Sequence, residues 1–379
     1  MIRLTRPSLE ADDFAAVQET LSTGMLVQGA RVAAFEQALA DVVDVPHAVA
    51  VTNCTAALHL SLQVLGTRPG DLVVVTAYSW TATANVIELC GAQPVFVDVD
   101  PDTFNIDPAA LEHTLGELKR VADVGRRVRA LLPVHTFGQM ADMARISEIA
   151  ARFEVPIVED AACALGAERS GRRAGASGVV GCFSFHPRKA ITTGEGGAVV
   201  TRDAAHTRTL RALRNHGLDP DSPTPDFVMP GHNTRMTEFQ AALGVTQLKK
   251  LPRIVEARRA GAARYDALLQ GTAIRAPVVA ADSRHVYQSY VALLPADVAP
   301  RRAEVIAALR ARGVETTIGT VHMPLTTYYR TRYGYERGQF PVTDDIAARS
   351  LTLPLFEGVT EAEQRTVVTA LSDVVVALG

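Results

Sequence analysis

The sequence is poor in cysteine and has no long apolar run. None of its four cysteines stands in a C-x-x-C pair, so the spacing predicts neither a zinc site nor a disulfide framework. The cysteines are Cys54, Cys90, Cys163 and Cys182. No uninterrupted apolar stretch reaches the ~18 residues that suggest a membrane-spanning helix, and the first residues contain no apolar leader segment. We therefore expect a cytoplasmic protein that binds neither a membrane nor a metal.

An excess of positive charge is also missing. The 38 Lys and Arg residues are balanced by 41 Asp and Glu residues, which gives a net charge of −3. A nucleic-acid-binding protein usually carries a basic patch, so no nucleic-acid partner is predicted. Hydrophobic residues make up 47% of the 379 residues, enough for a large core in one large domain and one smaller domain.

Short apolar runs alternate with amphipathic segments through the first two thirds of the chain. Runs such as 72–76 and 155–158 are typical of buried strands, and the segments between them are typical of helices. This alternation predicts an α/β fold in which a mostly parallel, mixed sheet is covered by helices on both faces. We expect a large domain at 1–250 and a smaller α+β domain, with its connecting helix, at 251–379.

The C-terminal part carries three more specific predictions. A helix that begins after Thr237 and ends at Leu269 should be interrupted or kinked at Pro252, because proline removes a hydrogen bond of the helix. Strands are predicted at 286–294 and 314–318.

Lys189 lies in a glycine-rich connection between two strand-like segments, 181–185 and 198–201. Glycine allows the backbone to approach a ligand closely. Arg188 precedes the lysine, and no acidic residue lies within four positions of it. A cationic, partly apolar setting predicts a lysine that loses its proton readily, as an amine that forms a Schiff base requires. A surface lysine in a β-hairpin is an equally open alternative at this point.

Asp160 follows an apolar run and lies at the C-terminal end of the predicted strand, where open α/β sheets place ligands. Pyridoxal phosphate needs two groups from a protein: a lysine that holds it covalently and a carboxylate that keeps its ring nitrogen protonated. Lys189 and Asp160 form such a pair, so the sequence indicates a site for this cofactor. A second role for Asp160, as the N-cap of a helix that begins at Ala161, stays open.

Two motifs connect the chain to a known family. They are E-D-A-A-x-A-L-G-A at 159–167 and S-F-H-P-R-K-x-x-T-T-G-E-G-G at 184–197. With them the chain resembles the DegT/DnrJ/EryC1/StrS aminotransferases, from about residue 25 to residue 356. The resemblance implies a fold-type-I pyridoxal phosphate enzyme that aminates keto sugars, mostly as nucleotide sugars. It also implies L-glutamate as amino donor and a homodimer whose active sites are shared between subunits.

The same resemblance assigns the cofactor contacts. They are Asp160 and Lys189 as catalytic residues, with Thr55, Ala56, Trp80, Cys163, Ser184 and Asn233 around them. Thr55 and Ala56 open a helix, whose free N–H groups suit a phosphate. Asn233, in the long loop 215–235, is implied to reach the cofactor phosphate of the partner subunit. Cys163 departs from the family, which commonly has glutamine or histidine there, and a thiol is a weaker hydrogen-bonding partner.

Three further residues are assigned to the substrate: His186, Arg235 and His322. His186 can donate a hydrogen bond to the sugar or its diphosphate, or can pack against Phe185 instead. Arg235 can form a salt bridge within its loop. The pattern around His322 departs from the family's common one.

The T-T-G-E-G-G segment after Lys189 is typical of family members that act at C4, so we expect amination at C4 of a nucleotide-linked 4-keto-6-deoxy hexose. Amination at C3 of a keto sugar, or of a keto cyclitol, is the alternative. Sugar dehydratases of the same fold typically replace the lysine with histidine, so the presence of Lys189 disfavours that activity. A non-catalytic regulatory protein of the same fold is the alternative of another class, and the retained lysine and aspartate disfavour it as well.

Overall fold

The computed structural model describes residues 1–121 and 127–379. The strands are β1 His47–Val51, β2 Leu72–Thr76, β3 Tyr78–Ser79, β4 Gln93–Val97, β5 Val128–Leu132, β6 Val158–Asp160, β7 Glu168–Arg169, β8 Arg172–Arg173, β9 Val180–Ser184, β10 Gly197–Thr201, β11 Ser283–Arg284, β12 Tyr290–Leu293, β13 Thr317–Ile318, β14 Val321–His322 and β15 Ser350–Leu353. The α-helices are α1 Ala11–Ser22, α2 Ala30–Val43, α3 Cys54–Val64, α4 Ala82–Leu89, α5 Pro108–Arg120, α6 Met143–Phe153, α7 Ala204–Leu213, α8 Glu238–Leu269, α9 Arg302–Ala311, α10 Thr327–Tyr333, α11 Pro341–Arg349 and α12 Glu361–Leu378.

A mixed central sheet organises the first part of the chain. One group of strands has the order β1-β10-β9-β6 and a second has the order β4-β2-β5. Two parallel bridges, Leu131 to Ile157 and Val134 to Asp160, join β5 to β6, so the two groups form one continuous sheet. Among the described strands of this sheet, β10 alone runs in the direction opposite to the others. The predicted α/β fold with a mostly parallel, mixed sheet is therefore confirmed.

Both faces of this sheet are buried. Alternate residues of one strand belong to two different apolar clusters: Val73 and Val75 pack on one face, and Val74 packs on the other. The two-residue period of a strand produces this division. Continuous apolar runs such as 72–76 are needed because helices cover both faces.

Helix α8 connects the central sheet to the C-terminal part. It begins with a capping box between Thr237 and Gln240 and continues to Leu269 through Pro252. The predicted interruption at Pro252 is therefore wrong, and the alternative of a kink there stays a prediction. The residues around the proline explain the continuous helix: Leu251 and Ile254 are buried in the apolar cluster that contains Val74, and this packing offsets the single hydrogen bond that proline removes.

The end of α8 packs on a third apolar cluster. That cluster lies between α9, α12 and a three-stranded sheet of order β12-β15-β13, which we call the C-terminal sheet. The division at residue 250 stays a prediction. The predicted strand 286–294 is shorter, because Tyr287 has a positive φ of 47° and its carbonyl binds Arg258 instead of a strand. The strand predicted at 314–318 is likewise only Thr317–Ile318.

Within the described residues, no helix is both long and apolar enough to cross a membrane.

Close packing of α2 against α8 yields the first prediction. Gly244 of α8 lies under the Phe35 ring, and a Cβ at this position would lie 2.5 Å from a ring carbon. We expect Gly244→Ala to destabilise the protein by about 1–3 kcal/mol through overpacking, although alanine is the better helix former. The free energy of unfolding in urea measures the change.

Gly116 of α5 provides the matched control, because a Cβ there has no atom within 4 Å. Gly116→Ala should be stabilising by roughly 0.5–1 kcal/mol. Equal effects of the two substitutions would contradict the packing described for α2 and α8.

Candidate active site

Asp160 lies at the carboxyl edge of the central sheet, as the last residue of β6, with 4% of its surface exposed. Thr83 donates its hydroxyl to Asp160 Oδ2 at 2.8 Å, and the N–H of Ala162 donates to Oδ1 at 3.1 Å. Burial raises the pKa of the Asp160 carboxyl, although these hydrogen bonds and the charge of Lys189 lower it. A carboxylate in this setting favours a cationic neighbour.

Lys189 approaches the same place from the connection between β9 and β10. Its Nζ donates to Cys163 Sγ at 3.1 Å. Burial lowers the pKa of Lys189, but Cys163, Cys54 and Asp160 raise it by more than burial lowers it. The pKa of Lys189 therefore lies above its ordinary value. The prediction of a cationic setting that favours loss of the proton is therefore wrong. Arg188 is exposed, and Asp160 is among the groups that act on the amine.

Glu159 precedes Asp160 in the chain, but its carboxylate is hydrogen-bonded to a different set of buried groups. The N–H of Ala141 donates to His135 Nδ1 at 3.2 Å, so His135 Nε2 carries the proton and donates to Glu159 Oε2 at 2.7 Å. Burial raises the pKa of Glu159, but the bond from His135 and backbone N–H groups lower it below its ordinary value. His135 follows β5, and its hydrogen bond with Glu159 fixes the end of β6.

Thr83 and Ser79 are hydrogen-bonded to the site at Asp160, and the sequence analysis missed both. Because Thr83 donates to Asp160, its oxygen accepts the hydroxyl of Ser79, 3.1 Å away. These two residues lie on either side of Trp80, and hydroxyl residues one helical turn apart after a strand were the only signal in the sequence.

The predicted phosphate site is a helix start beside β10. Asn53 caps α3 and accepts the N–H of Ala56 at 2.8 Å, while Thr55 is exposed. A Cβ on Gly197 would lie 2.3 Å from the Asn53 carbonyl carbon, so only glycine lets β10 come this close to the cap. Gly197 pairs with Ser184 in the sheet, which brings Ser184 to the same edge.

A two-stranded ribbon, in which β3 pairs with β14 and His322 pairs with Tyr78, includes the residues just before Trp80 in the chain. Trp80 itself is 67% exposed. His322 is half-buried, and its Nε2 lies 3.3 Å from Asp344 Oδ1. His186 is half-buried and its Nδ1 accepts the N–H of Arg188.

The loop 215–235 folds back on its own protomer. Asn215 pairs with Asn233 across the loop, and Arg235 donates to the Asn215 side chain. The carbonyl of Thr234 accepts the N–H of Thr52, so Asn233 lies exposed close to the start of α3. The roles assigned to Asn233 and Arg235 stay predictions, as do those of the other cofactor and substrate contacts.

These groups fit pyridoxal phosphate. An amine that can hold the cofactor and a buried carboxylate that favours a cation are present together, and Nζ of Lys189 interacts with Asp160. A helix start with an exposed threonine lies at the same edge of the sheet and suits a phosphate.

Comparisons with known proteins agree with this assignment. The model of the DegT/DnrJ/EryC1/StrS aminotransferase family matches residues 7–372. GDP-perosamine synthase of Caulobacter vibrioides is 36% identical over 381 residues, which cover 99% of this chain and 98% of that protein.

Two solved structures extend the comparison. The aminotransferase TlmJ from Streptoalloteichus hindustanus is 32% identical with a TM-score of 0.91, and the match covers 100% of both chains. DesV of S. venezuelae is 34% identical with a TM-score of 0.87, over 96% of this chain and 94% of that one. The chain therefore belongs to the DegT/DnrJ/EryC1/StrS aminotransferase family, and it is a pyridoxal-phosphate-dependent sugar aminotransferase.

Proposed function

We propose that the enzyme transfers the amino group of L-glutamate to C4 of a nucleotide-linked 4-keto-6-deoxy hexose. The observation that carries this proposal is the T-T-G-E-G-G segment 192–197, which is typical of family members that act at C4. The segment is a tight turn: Thr192 donates its hydroxyl to the Phe185 carbonyl, and the N–H of Gly194 donates to Thr192 Oγ1, both at 3.0 Å. A firmly bonded turn beside Lys189 limits which carbon of a hexose comes within reaction distance.

The relative from Caulobacter vibrioides supports a nucleotide-linked substrate, because it is named for the synthesis of GDP-perosamine. His186 and His322 are the proposed contacts for the sugar and its diphosphate, and Arg235 is a third.

The chemistry follows from the positions of a few side chains. Pyridoxal phosphate, when bound, supplies the electron sink. Lys189 Nζ is the group that takes the proton from the substrate carbon and returns it. Asp160 keeps a negative charge against the cofactor ring, and Thr83 and the N–H of Ala162 fix its two oxygens. Trp80 would stack on the cofactor ring, and Thr55 and Ala56 at the start of α3 would hold its phosphate together with Ser184.

We further propose that the enzyme is a homodimer in which Asn233 contributes to the partner's site. Several large apolar side chains are exposed on the protomer, and a second copy would bury them. They include Phe14, Leu21, Met25, Phe227 and Val228. Phe227 and Val228 belong to the same loop as Asn233.

The substrate assignment is tested with purified enzyme, pyridoxal phosphate and glutamate. The panel holds nucleotide sugars with the ketone at C4 or at C3 and a free keto cyclitol, and NMR locates the new amine. We expect turnover of the 4-keto sugar and an amine at C4, with no turnover by Lys189→Ala. An amine at C3, or turnover of the cyclitol alone, would refute the proposal. Absence of turnover with glutamate and every acceptor of the panel, and with other amino-acid donors added in its place, would favour a regulatory protein.

A second prediction concerns the support of Asp160. Thr83→Val keeps the shape of the side chain but removes its hydrogen bond to a buried carboxylate, a bond worth about 1.5–3 kcal/mol. We expect kcat/KM to fall about tenfold or more. Thr83→Ser keeps the hydroxyl and should retain most of the activity. Equal activity of the valine and serine variants would remove Thr83 from the site.

A third prediction tests the shared site. Lys189→Ala and Asn233→Ala chains are each expected to be poorly active, but mixed dimers combine an intact lysine with an intact asparagine. Exchange of subunits should restore about a quarter of the wild-type activity, because about half of the dimers are mixed and each has one complete site. Mixing Lys189→Ala with Asp160→Ala is the control and should restore none. Failure of the first mixture to gain activity would place Asn233 in its own protomer's site.

A further inference from the structure

A short ribbon connects the loop that carries Trp80 to the C-terminal part of the chain. Tyr78 and Ser79 of β3 pair with Val321 and His322 of β14. The N–H of Met323 donates to the carbonyl of Ala77 at 2.9 Å and extends the pairing. The backbone immediately before Trp80 is therefore held by residues far along the chain.

The hydroxyl of Tyr78 adds a buried junction to this ribbon. It donates to Ser350 Oγ at 2.8 Å and accepts the N–H of Thr320 at 3.2 Å. Ser350 is the first residue of β15 in the C-terminal sheet, and its Oγ also accepts the N–H of Gly319 at 3.3 Å. Burial raises the pKa of Tyr78, so the hydroxyl keeps its proton and stays a donor.

The junction leaves no spare volume. A Cβ on Gly319 would lie 2.6 Å from the Tyr78 hydroxyl and 2.8 Å from Ser350 Oγ. The Tyr78 ring packs edge-on against Phe104 and Phe137, with centroids 6.4 Å and 6.1 Å away. These ring contacts do not involve the hydroxyl, so removal of the hydroxyl alone separates its hydrogen bonds from the packing of the ring.

Hydrogen bonds continue from the ribbon to the catalytic carboxylate. Ser79 donates to Thr83, and Thr83 donates to Asp160. Residues 78 and 79 are thus bonded to the C-terminal sheet on one side and to Asp160 on the other, with Trp80 next in the chain.

We propose that Tyr78 is a positioning residue of the active site: its hydroxyl ties the Trp80 loop and the Ser79–Thr83 support of Asp160 to the C-terminal sheet. The proposal rests, for its effect on the cofactor, on the proposed contact between Trp80 and the cofactor ring. Loss of the hydroxyl frees the loop, so Trp80 moves more and the cofactor binds less tightly.

Trp80 is the only tryptophan of the chain, so the protein's tryptophan fluorescence reports this side chain alone. In Tyr78→Phe we expect a lower emission anisotropy and stronger acrylamide quenching in the cofactor-free protein. The dissociation constant of pyridoxal phosphate should rise about three- to tenfold, as for the loss of one hydrogen bond. Ser350→Ala should change the same quantities in the same direction, because it removes the acceptor and leaves the tyrosine in place.

Tyr265→Phe is the matched control. Its hydroxyl is also buried and donates to the Pro354 carbonyl at 2.9 Å, in the core of the C-terminal part. It should lower the thermal midpoint much as Tyr78→Phe does and leave the Trp80 signal and cofactor affinity unchanged. The proposal would be overturned if Tyr78→Phe and Ser350→Ala showed the same Trp80 anisotropy and quenching as Tyr265→Phe.

The fluorescence result separates this inference from the proposed function. If Tyr78→Phe changes the Trp80 signal but not the cofactor affinity, the hydroxyl orders the loop and the assigned ring contact of Trp80 is wrong. In the other case, pyridoxal phosphate quenches the Trp80 fluorescence of the wild type, but Tyr78→Phe does not change the anisotropy or acrylamide quenching of the cofactor-free protein. The ring contact of Trp80 then stands, and the positioning role of Tyr78 is refuted.

Discussion

A buried negative charge is the constraint on which the active site depends. A carboxylate removed from water is costly unless hydrogen bonds and a nearby cation compensate it. Asp160 is buried because β6 ends inside a sheet covered on both faces. Two donors hold its oxygens, yet burial keeps its pKa above the ordinary value. In the proposed site, a cationic ring nitrogen would supply the missing compensation, so binding of the cofactor would also stabilise the carboxylate.

Glu159 shows how one strand gives two adjacent carboxylates different environments. Successive side chains of a strand point to opposite faces. Glu159 meets His135 and the backbone N–H groups of Gly175 and Gly178, and its pKa is lowered. Asp160 meets fewer donors, and its pKa is raised. The first carboxylate anchors the strand, and the second is available for chemistry.

Much of the fold is predictable because it depends on local pattern. The run 72–76 matches β2 to the residue, since a buried parallel strand must be apolar throughout. The pair Lys189 and Asp160 could be proposed from residue chemistry and the family's motifs. Thr83 and Ser79 could not be assigned, because their hydrogen bonds join Asp160 across a long stretch of chain and hydroxyl residues are common at helix starts. The same limit applies to Tyr287, whose left-handed backbone shortens β12, and to Pro252, whose lost hydrogen bond is offset by packing that only the folded chain reveals.

The antiparallel strand β10 of the central sheet has a consequence for the order in which the chain folds during synthesis. β1 pairs with β10, and among the described strands it has no other ladder partner. His47 therefore cannot pair until Thr201 has been synthesised. Until about half of the chain has emerged from the ribosome, β1 has an unpaired edge and exposes apolar residues such as Val49 and Val51, which are buried in the folded protein. Unpaired strand edges of this kind promote aggregation. Completion of β10 also fixes the two ends of the segment that carries Lys189. The step that closes the sheet during folding is therefore the step that creates the catalytic site, and a nascent chain arrested before β10 would be both aggregation-prone and inactive.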